Sequence, residues 1–164
     1  MGSLSYVLIA IIISFVFLIA KKENEEVIQN ITGDSFIIRL PKVYIWIGAI
    51  CALFFTVFFV LMLIFPNDTA EIWVGVVFIT FILLGLFLVY TSIKWQVHVY
   101  KNYIIYRTVF GREYEFKYTE IKHVKLTQNS LKIKTDKKTF SIDSQAIGKE
   151  LILQRFNENN VIVK

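Results

Sequence analysis

The chain has 164 residues, is 55% hydrophobic, has a mean hydropathy of +0.57 and a formal net charge of +5, which is too apolar for an ordinary soluble domain. The charge is uneven: residues 94–164 hold 14 Lys and Arg against 7 Asp and Glu, while residues 1–93 hold 4 against 6. The single cysteine, Cys51, lies in an apolar run, which excludes an intrachain disulfide and a thiol-based metal cluster.

Leu4 to Ala20 is the first apolar block, at the short end for a membrane span. No basic side chain precedes it and Lys21-Lys22 follow it, which favours a retained anchor over a cleaved signal peptide. Position six is Tyr, so the myristoylation pattern fails. The connection Lys21–Lys42 begins as a charged helical extension. It then turns β-prone at Ser35–Leu40, and Pro41 breaks any helix that would continue through it. Residues 43–65 form the second expected span, roughly 35 Å of helix. Pro66-Asn67-Asp68-Thr69 reads as a turn, and residues 72–93, roughly 33 Å, as the third span. Trp46, Trp73 and Trp95, with Tyr44 and Tyr90, fall near span ends, where amphipathic rings favour the interface. Four basic residues in the first connection, none in the second and fourteen in the tail orient the chain. The positive-inside rule puts the amino terminus outside and the tail in the cytoplasm. The triplets at Asn30 and Asn67 match a glycosylation pattern by chance, one cytoplasmic and one in a very short loop.

Beyond Lys94 the period changes to two, the signature of strands. Strands are expected over 95–100, 103–110, 113–118, 121–126, 130–135 and 138–142. The turns between them include Lys101-Asn102, Gly111-Arg112, Gln128-Asn129 and Asp136-Lys137. Asp143-Ser144 offers a cap for a helix from Gln145 to about Asn159, with Ile147, Leu151, Ile152 and Phe156 as its apolar stripe. Val161-Ile162-Val163 is a further strand candidate.

The stretch IIYRTVFGREYEFKYTEIKHVKLTQNSLKIKTDKKTFSIDSQAIGKEL resembles the bacterial pleckstrin-homology-like domains of small membrane proteins. The resemblance covers less than half of the chain and rests on spaced apolar residues and turns rather than on a chemical group. It implies a cytoplasmic scaffold that binds lipid head groups or peptides, with Ile121 buried after the Tyr118-Thr119-Glu120 turn and Gly148 a close helix contact. The full fold has seven strands and six are readable here. The β-prone Phe36–Leu40 lies on the same side of the membrane as the tail. It is therefore expected to pair with the tail's exposed edge or pack across it.

The expected fold class is thus an α+β membrane protein, with residues 1–93 as three transmembrane helices and residues 94–164 as a small PH-like antiparallel β-barrel or sandwich capped by a C-terminal helix. Catalysis is not expected. His98 and His123 have no ligand at metal-binding spacing, Ser141 and Asp143 have no elbow motif, and the seven glycines form no phosphate loop. The spans hold no ionisable group that would mark an ion path or intramembrane hydrolysis. No cofactor or metal is expected, and membrane tethering argues against nucleic acid.

Alternation in Leu131-Lys132-Ile133-Lys134 sends Lys132 and Lys134 outward together, with Lys137 and Lys138 in the adjoining turn. These four are the candidate contacts to anionic lipid head groups or an acidic protein partner. A solvated face kept basic for solubility or orientation is the competing explanation. Gly48, Ala52 and Thr56 make a small-residue stripe on the second span, and Ala10 and Ser14 a shorter one on the first; the two faces are expected to meet. The expected role is a membrane-anchored binding module in the bacterial inner membrane. The alternative is an immunity protein against a membrane-active toxin or bacteriocin, in which the spans would be the working part.

Overall fold

The computed structural model describes residues 14, 18–25, 35–65, 72–128, 130–136 and 138–163. The chain is α+β and divides into two compact units. Residues up to Pro41 group with Lys94–Lys164, and Lys42–Ile93 form the other unit. A division at residue 94 alone is therefore corrected, because the segment before the first long helix belongs with the tail.

The reason is a strand. Phe36–Arg39 (β1) pairs antiparallel with Gln96–Val99 (β2), Phe36 opposite Val99 and Arg39 opposite Gln96. Phe36 and Ile38 turn inward and are buried, while Ile37 is exposed. Pro41 follows one residue beyond the strand and is itself buried, so the strand stops where the sheet no longer needs a donor. Two long helices, α1 (Val43–Ile64) and α2 (Ile72–Lys94), are thereby inserted between neighbouring strands of one sheet.

The sheet continues with Tyr103–Arg107 (β3) and Glu113–Lys117 (β4), giving the order β1-β2-β3-β4. After a short 3-10 turn, Tyr118–Glu120, the strands Ile121–Leu126 (β5), Ser130–Thr135 (β6) and Thr139–Asp143 (β7) form a second antiparallel sheet. Strand alternation fills one core from both sheets: Ile38, Val97, Val99, Ile104, Val124, Leu131, Ile133 and Ile142 are all fully buried. Phe140 packs among Tyr106, Tyr114 and Phe116, stacking on Phe116 at 4.9 Å with the rings 9° from parallel. Ile121 is only partly buried, against the edge of that core.

The C-terminal helix begins later than Gln145. It runs Lys149–Glu158 (α3), because Asp143–Gly148 is used otherwise. Asp143 Oδ1 accepts the Gln145 N–H at 2.8 Å, closing a turn, and the Ile147 N–H donates to Arg39 O at 2.9 Å. Gly148 then takes a left-handed φ of 83°, the conformation that favours glycine, and its N–H donates to Asn24 Oδ1 at 2.9 Å. Ile152 and Phe156 are fully buried, Ile147 nearly so and Leu151 partly. Val163 makes a single parallel bridge to Val124 in place of a full strand.

Of the first apolar block, Ser14 and residues 18–20 are described, and they are helical. The helix runs on through residue 25, where Glu23 Oε1 meets Arg39 Nη2 at 3.1 Å. The rest of the block, with Ala10, lies outside the described residues, as do Asn30, the Pro66–Thr69 turn and Lys137.

The helices α1 and α2 are long and apolar enough to cross a membrane, and only 11% of the most apolar window of each is buried. Apart from Val43 at the start of α1, their buried positions are the small ones, Gly48 and Ala52 on α1 and Gly75, Gly85 and Ser92 on α2. A Cβ at Gly48 would fall 2.6 Å from Gly85 O, and one at Gly85 would fall 2.9 Å from Ala52 N. The partner that the structure gives this stripe is α2. Gly85 offers it a backbone-to-backbone approach, while the Ala10 face of the first block lies outside the described residues. Thr56 turns its hydroxyl to Ala52 O at 2.7 Å, and Phe55 stacks on Phe81 at 4.6 Å. Trp95 is not an interface residue: it is buried in the sheet unit, and its indole N–H donates to Tyr106 Oη at 2.9 Å.

Candidate functional site: a basic sheet face

The outer face of the second sheet is set by its hairpins. Thr127 N–H donates to Ser130 O at 2.8 Å around the turn at residues 128–129, and Thr135 N–H to Lys138 O at 2.9 Å around residues 136–137. Those closures fix the register. Lys125 stands opposite Lys132, which stands opposite Ser141; His123 stands opposite Lys134, which stands opposite Thr139. All six side chains are exposed, since Val124, Leu131, Ile133, Phe140 and Ile142 take the inward positions.

Lys132 and Lys134 therefore share a face, joined by Lys125 and His123 from the neighbouring strand. Among the described residues none of these lysines forms an ion pair. The acids at the ends of β6 and β7 are engaged: Asp136 pairs with Lys122, and Asp143 closes its own turn. Directly opposed like charges on a sheet destabilise it, so the Lys125–Lys132 pair is a cost that packing does not explain.

Lys138 carries the positive charge round to the first sheet. Its Nζ donates to Tyr114 Oη at 3.0 Å and sits 4.2 Å from that ring's centroid. The Lys138 hydrogen bond, helped by Arg112, lowers the pKa of the half-buried Tyr114 phenol. Tyr118 shows the opposite: its hydroxyl donates to Tyr100 O at 2.8 Å, and burial pushes its pKa up to about 12. Only Tyr114 belongs to the basic surface.

Other candidates separate. His98 lies on the first sheet opposite Ile37 and Ile105, and His123 on the second, so the fold does not place the two histidines in one ladder. A cleft of about 250 Å³ between residues 20–24 and 144–150 is lined by Lys21, Asn24, Lys149 and Glu150, a mixed set that selects no ligand charge. Sequence reading missed Lys125 and His123. The signal was present in the turn: counting outward from residues 128–129 sets Lys125 opposite Lys132.

No curated protein and no solved structure matches the chain. Residues 3–164 match a family described as of unknown function, DUF6560, and the chain belongs to that family.

Proposed function

We propose that the protein is a membrane-anchored binding module whose basic sheet face engages anionic lipid head groups. The observation that carries this reading is the Lys125–Lys132 opposition beside Lys134 and His123, a cluster that costs the sheet stability and is answered by no acid in its own rows. Each lysine close to an anionic leaflet contributes about 1 kcal/mol, falling off within a Debye length of roughly 8 Å. A PH-like identity for the sheet unit is supported by its four- and three-stranded sheets and closing helix.

Three spans, with the amino terminus outside and the sheet unit in the cytoplasm of a bacterial inner membrane, fit the distribution of basic residues. The β1–β2 ladder supports that topology. It ties the chain entering α1 to the chain leaving α2, so both flanks of the helical hairpin share one side of a membrane. The module acts by binding, with no catalytic step.

The test uses the full chain, because a fragment starting at Lys94 would lack β1 and expose the edge of β2. Purified in neutral detergent, it is mixed with phosphatidylglycerol or phosphatidylcholine, and retained lipid is counted by native mass spectrometry. Salt-sensitive retention of the anionic lipid, lost on Lys132→Glu with Lys134→Glu, is the expected result. Equal retention by parent and double variant overturns the assignment of this face.

A further inference from the structure

The β3–β4 connection has the build of a rigid presenting loop. Gly111 N–H donates to Thr108 O at 2.9 Å, Thr108 N–H to Arg112 O at 2.9 Å, and the Arg112 N–H to Thr108 Oγ1 at 3.1 Å. Gly111 holds a φ of 77°, which fixes the bend. Val109 tucks against the core, and Phe110 at the tip is 80% exposed. A large aromatic held out on a closed turn gains nothing from the fold that displays it.

Its position follows from register. β3 ends at Arg107, which lies opposite Gln96, which lies opposite Arg39. Only Trp95 separates Gln96 from the last residue of α2, and only Leu40-Pro41-Lys42 separate Arg39 from α1. The turn therefore leaves the sheet at the end where the chain passes into both helices. A fully extended path from Lys94 through the Gln96–Arg107 pair to Phe110 is about 22 Å, so the tip stays within that reach of the helix terminus.

Basic side chains outnumber acidic ones around the tip, with Arg107, Arg112 and Lys138 against Glu113. Arg112 is exposed and approaches Tyr114, which also takes the Lys138 hydrogen bond, so the basic sheet face continues to the tip. Glu113, the acid that follows the turn, pairs with Arg107 at 3.8 Å.

We propose that Thr108–Arg112 is a membrane-insertion turn: Phe110 enters the acyl–headgroup boundary of the leaflet while Arg112 and Lys138 meet lipid phosphates. This rests on the membrane reading above and adds to it a second, apolar anchor. A basic patch and an apolar group together hold a domain against a bilayer surface more firmly than either alone.

The test places single cysteines in a Cys51→Ala full chain in nanodiscs that contain anionic lipid. Phe110→Cys carries the probe at the tip, Asn102→Cys at the opposite end of β2, and Leu84→Cys within α2. Each is labelled with the same fluorophore and exposed to aqueous iodide and to lipid-borne nitroxide quenchers. The probe at 110 is expected to be quenched by shallow lipid nitroxides and shielded from iodide several-fold relative to 102. A probe at 110 that iodide reaches as readily as at 102, with 84 still quenched from the lipid, overturns the insertion turn and leaves Phe110 facing water or a protein. If 84 also escapes the lipid quenchers, the membrane reading falls and the insertion turn with it.

Discussion

The two units bury opposite residues. In the sheet unit, Val, Ile, Leu and Phe fill the interior and lysines face out; in the helical pair, Gly48, Ala52 and Gly85 are inside and Leu53, Leu84 and Leu86 are more than half exposed. The same side chains are thus sorted by size in one unit and by polarity in the other. Water drives apolar groups together in the first. In the second, two helices apolar enough to cross a membrane leave leucine outside, and close backbone approach decides which faces meet.

The comparison breaks most sharply at Phe140. Replacing it with Ala leaves a void between Tyr106, Tyr114 and Phe116, at a cost of about 3–5 kcal/mol. Hydrogen exchange on the full chain in micelles should show protection lost across β2–β7 and retained in α1 and α2. Loss of protection in both units together would mean that they do not fold as separate cores.

Gly48→Leu is the matching change in the other unit. Its side chain meets Gly85 O and Val89 at once, and overpacking of this kind costs about 1–3 kcal/mol. Thermal melting in detergent should fall for the helices, with exchange protection in β1–β7 unaltered. By contrast Leu53→Ala, on the exposed side of α1, should be close to neutral for helix pairing; an equal loss at both positions would mean that the pair does not meet at its small residues.

How much of this was legible follows the same division. Period-two alternation in the tail gave the inward residues of β6 directly, since one face is buried and no slip is tolerated. The edge strand Phe36–Arg39 was readable from its β-prone composition and from Pro41, although 56 residues lie between Arg39 and its partner Gln96. Three features were hidden. The register shift between Ile121 and His123 turns Lys122 and His123 outward in succession, so alternation misreads that strand. The start of α3 depends on Ile147 bonding to Arg39, a partner more than a hundred residues away. Gly85 as the mate of Gly48 is a choice among stripes that composition alone cannot make. The candidate face was half legible: Lys132 and Lys134 came from alternation, whereas Lys125 and His123 required the hairpin register.

The smallest expected effect is the most diagnostic for the proposed role. Lys132→Glu replaces a like-charge opposition with an opposite-charge pair facing Lys125, and cross-strand pairs of this kind are worth about 0.2–1 kcal/mol. Position 132 is exposed, so the change meets no packing penalty. The denaturation midpoint of the full chain in neutral micelles should therefore rise slightly, more at low salt than at high salt, as screening weakens both the original repulsion and the new attraction. Retention of anionic lipid should fall in the same variant. Stability and binding moving in opposite directions is the signature of a surface kept basic for a ligand at the expense of the fold. A midpoint that falls would show that Lys125 and Lys132 are not in conflict, and the physical case for an anion on this face would lose its main support.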